Sequence, residues 1–457
     1  MEKTRLAGSF RDPDGFLFFR EGRLYRQVNE RYRSDYDHLI DSGLYDTLTR
    51  SGLLVDHEEV DTSYALTGDA YRVLRPAKIP FISYPYEWCF SGLKSAALLT
   101  LEIEKRALEA GMTLKDASAY NVQFRGCRPV FIDTLSFERY EEGKPWTAYR
   151  QFCQHFLAPL ALMSFEDVRL GLLMRLYMEG VPLDLASSLL PGRTRFSLGL
   201  QTHIHLHARY QRRFAGSRRS PRRGRMGRKS MLGLVDSLEG AVRRLSYRPE
   251  GTEWSDYYDD TNYTEEGMKR KETLVADFLG MLRPRLVWDL GANTGRFTRI
   301  AARQAELVIA FDVDPAAVER NFEEAGVGDG GDVLPLLIDL TNPSPSIGWA
   351  GEERSSLEAR GPADTLLALA LLHHLAISNN LPFDDIADYF SRLCSSLVIE
   401  FVPKEDSQVG RLLVSREDIF DRYTREEFER AFQKLFEIER AEPIEGSGRI
   451  LYAMRRR

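Results

Sequence analysis

The sequence predicts an α/β protein whose C-terminal half is a doubly wound parallel sheet, preceded by a domain of α+β character. Three observations carry this prediction. Short apolar runs alternate with amphipathic stretches from Leu286 onward, a hairpin and one long helical pattern dominate before Arg125, and an arginine-rich seam separates the two halves. At 457 residues the chain exceeds what one hydrophobic core serves, so more than one domain is expected. A hydrophobic fraction of 43% and a charged fraction of 28% fit an ordinary globular protein. The net charge of -6 excludes a global attraction to nucleic acid or to an acidic membrane surface.

In chain order, Gly15 to Phe19 and Arg23 to Val28 are strand-like runs joined by Arg20, Glu21 and Gly22, which reads as a β-hairpin. A helical pattern runs from Ser91 to Ala110 and stops at Gly111. Two short strand-like pieces follow, Val122 to Phe124 and Pro129 to Ile132, and from Trp146 to Arg213 the pattern is mostly helical. His203, His205 and His207 fall in a helical stretch, Leu198 to Phe214, where alternate residues face different ways, so no metal site is predicted. The seam, Arg212 to Lys229, is rich in Arg, Gly, Ser and Pro and cannot bury enough surface to fold alone. The predicted organisation is a domain over 1–211, a basic linker over 212–232 and a second domain over 250–457. Nucleic acid could be met only through that linker, which lacks interleaved aromatics.

The second half supplies apolar runs at Leu286 to Leu290, Leu307 to Phe311, Val333 to Ile338, Thr365 to Leu372 and Leu397 to Val402. Amphipathic stretches such as Ala316 to Ala325 and Phe383 to Cys394 lie among them, and Leu435 to Glu439 and Arg449 to Met454 read as two closing strands. The four cysteines are scattered, the N-terminus is too polar for a signal peptide, and no apolar run reaches the length of a membrane span. A cytoplasmic protein without a membrane partner is expected.

The run from Leu286 to Gly295 is a buried strand entering a glycine-containing turn, Gly291 to Gly295 with Asn293 inside it, and then a helix from Arg296 to Arg303. The G-x-G-x-x-G spacing of dinucleotide enzymes is absent, and an acidic residue, Asp289, sits in the strand just before the turn. This D-L-G-A-N-T-G stretch resembles the first motif of class I S-adenosylmethionine-dependent methyltransferases. The resemblance covers about the last 200 residues and implies a Rossmann-like methyltransferase sheet with S-adenosylmethionine as cofactor. It implies that Asp289 and the turn line the methionine end, whose ammonium suits a carboxylate. Asp312, ending the next strand, would take the ribose hydroxyls, while Asp314, ahead of Pro315, caps the following helix. In Leu336 to Leu340, Asp339 would receive the adenine amino group and Leu340 would pack on the ring.

Methyl transfer from a sulfonium requires alignment of acceptor and donor, and a base only where the acceptor must lose a proton. The fourth strand runs into His373 and His374, which the resemblance places on the acceptor side as base or orienter. Asn379 and Asn380 follow as groups able to hold a polar acceptor. The fifth strand ends so as to bring Glu400, Lys404, Glu405 and Asp406 near the substrate side, or these residues form a solvated charged loop. Trp254 to Tyr263 with Lys269 to Lys271 read either as a lid or as cover for the sheet edge. The acceptor itself is not specified, although the missing N-P-P-[YF] arrangement weighs against DNA base methylation.

In the first half, Asp116, Asn121 and Asp133, the last ending a short hydrophobic strand, resemble the catalytic segment of protein-kinase-like folds. By that likeness Asp116 orients an acceptor hydroxyl, and Asn121 and Asp133 hold magnesium beside a nucleotide. The departures are Thr134-Leu135 after Asp133, a hairpin without a dense glycine loop, and no lysine on the second hairpin strand. The sequence therefore predicts a methyltransferase of unspecified acceptor fused to a domain of kinase-like descent. A nucleotide-dependent phosphotransferase and a non-catalytic cofactor-binding protein are the alternatives.

Overall fold

The computed structural model describes residues 3–209, 226–249, 263–327, 332–414 and 417–457. The chain forms two compact units, Met1–Arg248 with Ser346–Arg354, and Pro249–Pro345 with Ser355–Arg457. The first unit thus takes in a short excursion from the second half of the sequence, which nothing in the sequence pattern announces.

The first unit holds a five-stranded antiparallel sheet ordered β1-β2-β3-β5-β4, from β1 (Lys3–Arg5), β2 (Gly15–Arg20), β3 (Arg23–Asn29), β4 (His57–Val60) and β5 (Ala70–Pro76). The expected hairpin is β2–β3, closed by Glu21 and Gly22 with φ of 54° and 74°, the left-handed pair that a two-residue hairpin turn needs. Phe16, Phe18, Tyr25 and Val73 pack on one face and Val28, Leu74, Tyr32, Tyr36 and Leu135 on the other. Helix Phe90–Glu109 ends beside Gly111, where φ is 75°, as its sequence predicts. Within it, buried Glu104 accepts hydrogen bonds from Thr113 Oγ1 and Leu114 N, both at 2.7 Å, and so ties the helix to β6 (Met112–Leu114). β7 (Val122–Arg125) and β8 (Arg128–Phe131) form a second hairpin, and β9 (Phe137–Arg139) pairs with β6.

Two expectations change here. The expected helical stretch from Trp146 to Arg213 is, as far as residue 209, broken into short pieces, among them π-helical turns at Cys153–Leu157 and Gln201–Leu206. The expected linker over 212–232 is entered by helix Arg228–Arg244, whose Asp236 and Glu239 pair with Lys105. The arginine-rich residues 212–225 lie outside the described residues.

The second unit is a seven-stranded sheet ordered β12-β11-β10-β13-β14-β16-β15, built from β10 (Leu286–Leu290), β11 (Leu307–Asp312), β12 (Asp332–Leu337), β13 (Ala363–Ala368), β14 (Cys394–Phe401), β15 (Phe436–Pro443) and β16 (Ile450–Arg456). The first five strands are parallel, and β16 runs antiparallel between β14 and β15. This is the Rossmann-like α/β sheet that the alternating pattern predicts. Val287, Val308, Val333, Leu367 and Val398 pack with Leu274, Val275 and Phe278 of helix Glu265–Leu282 in one core. The strand order reverses at β10, which lies between β11 and β13, and such a switch point opens a crevice at the carboxyl ends of the strands. The fourth strand is shorter than its apolar run: β13 stops at Ala368, and Ala370, at φ 51°, turns the chain away before the histidines.

Among the described residues no helix is long and apolar enough to cross a membrane.

Candidate functional site

A cavity of about 260 Å³ opens in the second unit where the strand order reverses. Asp289, Gly291, Asn293, Asp312, Asp339 and Leu340 all line it, so six of the seven residues expected to hold a cofactor come together. The exception is Gly295. It adopts φ of 85° at the start of helix Arg296–Ala301, but a β-carbon there would lie 2.1 Å from Asn321 Oδ1, so its small size serves packing against Asn321 and not the cavity. Gly291, at φ 70°, is the glycine that faces the space.

Each carboxylate is held differently. Asp289, buried at the end of β10, accepts from Thr298 Oγ1 at 2.6 Å, and burial, reinforced by the Asp312 charge, raises its pKa to about 6. Asp312 accepts from the backbone N of Asn293 at 2.7 Å and of Asp314 at 2.9 Å, which pins the glycine turn to β11. Burial also moves Asp312 upward, partly countered by those hydrogen bonds. Asp339 is exposed at the cavity rim and accepts from Thr341 N at 2.8 Å. Asp314 caps helix Pro315–Val327 through Ala316 N at 2.9 Å, as expected.

The two histidines part company. His374 begins a π-helical turn, His374–Ser378, and lines the cavity together with Ser378 and Asn379; burial lowers its pKa to about 4, which leaves a neutral ring. His373 does not line the cavity. It is fully buried, burial pulls its pKa well down, and neither ring nitrogen finds a hydrogen-bond partner among the described residues. Of the two candidate histidines, His374 alone lines the cavity.

Two charged residues take a more specific place than the sequence suggests: Lys271, read as part of a lid or edge cover, and Glu400, read as a strand end near the substrate side or a solvated loop. Lys269 does sit on the surface, paired with Glu265 at 2.7 Å, but Lys271 two residues on is buried and lines the cavity. Glu400 lies inside β14 and not in a solvated loop. Its Oε2 accepts from Lys271 Nζ at 2.7 Å and from Ala370 N at 2.8 Å, and its Oε1 accepts from the Tyr263 hydroxyl. Arg449 grips Asp406 with two hydrogen bonds, 2.7 and 3.1 Å, and donates to Tyr263 at 3.0 Å. Burial raises the Glu400 carboxyl, but Lys271 and Arg449 more than offset this, so it lies below the usual carboxylate range. Lys404 does point outward, to Asp418 at 2.7 Å. Of the expected aromatic lid, 254–262 lie outside the described residues.

In the first unit the kinase-like trio also meets, but differently. Asp133 is ion-paired with Arg26 of β3 and accepts from Ser136 Oγ. Asn121 donates to Ser136 Oγ at 3.1 Å, and Asp116 accepts from Ser118 N at 2.9 Å and Gln151 Nε2 at 2.8 Å. The carboxylates of Asp116 and Asp133 thus accept hydrogen bonds from groups of the protein itself, and among the described residues no group of three His, Cys, Asp or Glu side chains is placed to hold a metal ion. The second hairpin strand carries Arg26, which is ion-paired with Asp133. The histidines of the helical stretch have separate partners, His203 with Tyr149 and Ser237, His205 with Ser187 and Thr194. A cavity of about 980 Å³ in this unit is walled by Arg150, Gln154, Tyr177 and Trp349, the last 75% exposed.

No family model matches the sequence. Among solved structures, the chain is similar to magnesium protoporphyrin IX methyltransferase (ChlM) from Synechocystis PCC 6803 with bound SAH, at 18% identity over 42% of this chain and 84% of that one, TM-score 0.30. It is also similar to N-methyltransferase NodS from Bradyrhizobium japonicum WM9 in complex with S-adenosyl-l-homocysteine, at 11% identity over 45% of this chain and 99% of that one, TM-score 0.32. The sequence is 38% identical over 464 residues to nodulation protein NoeA of Rhizobium meliloti (strain 1021), a match that spans 99% of this chain and 96% of the relative. At that identity over nearly the full length of both, the protein belongs to the family of the nodulation protein NoeA.

Proposed function

We propose that the protein is a methyltransferase that uses S-adenosylmethionine. The observation that carries this reading is the gathering of Asp289, Asp312 and Asp339 around one cavity at the switch point of the sheet, beside a turn in which Gly291 leaves room for a ligand. The residues fit the group they would hold. Asp289 offers a carboxylate to the ammonium of the methionine end, and Lys271, the one Lys or Arg lining the cavity among the described residues, offers an ammonium to its carboxylate. Asp312 still has lone pairs for two ribose hydroxyls, and Asp339 with Leu340 forms the rim where the base would lie.

When bound, the sulfonium donor supplies an electrophilic methyl group. The protein's own part is to hold an acceptor in line and to keep water out. His374, Ser378 and Asn379 form the wall suited to a polar acceptor, and the low pKa of His374 makes its ring a hydrogen-bond partner that carries no charge of its own against the donor. His373 serves only to fill the core behind it.

The first unit is read as kinase-like in descent and as a recruiting domain in use. Its antiparallel sheet, long helix and Asp116–Asn121–Asp133 cluster support the descent; the closed hydrogen bonding of that cluster speaks against phosphotransfer, and the cavity beside Trp349 supports recruitment. Four free cysteines fit a reducing, cytoplasmic setting. The nodulation role in its relative's name extends to this chain as the biological setting of the proposal.

Isothermal titration of the purified protein with S-adenosylmethionine, beside an Asp312→Ala variant, tests the reading. Binding that disappears in the variant supports it and justifies an acceptor search with labelled methyl groups; absence of binding by the folded wild type overturns it.

A further inference from the structure

Resting on the cofactor reading above, one further role follows from the charges behind the cavity wall. Lys271 is buried with a side chain 3% exposed, and Glu400 behind it is fully enclosed. A lysine is an odd lining for a site that takes a cation. The donor carries a carboxylate, an ammonium and a sulfonium, a net single positive charge. On transfer the sulfur–methyl bond breaks, its electron pair stays on sulfur, and the methyl forms its new bond to the acceptor, so the product S-adenosylhomocysteine is left with no net charge. Donor and product thus differ mainly in one charge, and the field inside the cavity decides between them.

The lining carries Asp289, Asp312, Asp339 and Lys271 as its charged side chains. Behind Lys271, Glu400 sits at 2.7 Å; Arg449, bonded twice to Asp406, also stands 3.6 Å from the other Glu400 oxygen, so the two cations and two carboxylates of this network sum to zero charge. We propose that Glu400 is a charge-setting and positioning residue: by cancelling Lys271 it leaves the field of the cavity to the three aspartates, and the site then prefers the charged donor to the neutral product. The same carboxylate holds the backbone N of Ala370, a cavity-lining residue at φ 51°, so the pair also fixes the turn that delivers His374.

The test is titration calorimetry of wild type, Glu400→Gln, Lys271→Met and the double variant with S-adenosylmethionine and with S-adenosylhomocysteine, each protein first shown to be folded by its thermal transition. The readout is the ratio of the two affinities, in which the shared carboxylate, ammonium, ribose and adenine contacts cancel. Glutamine keeps an acceptor for Ala370 N. The expected result is a donor-over-product ratio that falls about tenfold in Glu400→Gln, rises in Lys271→Met, and returns to within about twofold of wild type when both charges are removed. A purely structural role would weaken both ligands together. A ratio unchanged in both single variants, or moving the same way in both, overturns the proposal. Should Glu400→Gln fail to fold, Lys271→Met and the double variant still decide it. Wild type that binds neither ligand removes the cofactor reading itself, an outcome distinct from binding with an unmoved ratio.

Discussion

Two clusters of acidic side chains, one in each unit, look alike in the sequence and differ in the fold. Asp116 and Asp133, with Asn121, are bonded to neighbours within the protein: Asp133 to an arginine and a serine, Asp116 to a glutamine and a backbone N–H. Asp289, Asp312 and Asp339 each spend part of their capacity on the protein and turn the rest to open space. The difference teaches that spacing brings acids together but does not make a site; carboxylates that line a cavity do.

Substitutions in the two clusters should therefore break in opposite ways. Asp312→Ala is expected to cost cofactor affinity by at least about a hundredfold, since two charge-assisted hydrogen bonds go at once, with a smaller loss of melting temperature because Asn293 N and Asp314 N lose their acceptor; calorimetry and a thermal scan read both. Asp133→Ala should do the reverse. It strands Arg26, whose side chain is only 12% exposed, and should cost about 2–3 kcal/mol, or roughly 5–10 °C in the melting of the first unit, with cofactor affinity unchanged. If instead wild type bound magnesium-ATP and Asp133→Ala lost it, the contrast between the clusters would collapse.

Smaller effects sharpen the contrast. Asp339→Ala should weaken cofactor binding about tenfold, the worth of one hydrogen bond to the base. The pH dependence is set by Asp289. Its pKa is raised to about 6 in the ligand-free protein, so below that pH the carboxyl is neutral and cannot pair with an ammonium. Cofactor affinity should then rise as pH climbs through about 6 and level off above it, and Asp289→Asn should flatten the profile. For stability the sign is opposite: a carboxyl raised by burial binds its proton more tightly folded than unfolded, so its contribution falls as pH rises from about 4 to about 6.

Much of the second unit was legible because parallel strands buried on both faces appear as unbroken apolar runs, such as Leu286 to Leu290 and Leu307 to Phe311. The same rule hid β4 and β5. His57-Glu-Glu-Val60 lies at a sheet edge with much of its length exposed and carries no apolar run to notice. It also stretched the fourth strand too far, since Leu369 to Leu372 are apolar but follow a turn at Ala370 that only the partner Glu400 explains. Lys271 and Glu400 were beyond reach for a related reason. Each charge makes sense only beside the other, and they are separated by 129 positions. His373 and His374 are adjacent and identical in the sequence, and only the π-helical turn after His373 decides which one meets the cavity.

The place of β16 has a consequence for how the protein is made. Ile450–Arg456 inserts between β14 and β15, so a stretch near the end of the chain forms an interior strand of the sheet. Arg449, which completes the charge network around Tyr263, directly precedes it. A nascent chain cannot close the sheet of the second unit until Ile450–Arg456 has been made, and until then β14 keeps an unpaired edge. Loss of Arg449 to Arg456 would thus leave β14 and β15 without the strand that joins them, a form of the second unit prone to aggregation or to capture by chaperones and proteases.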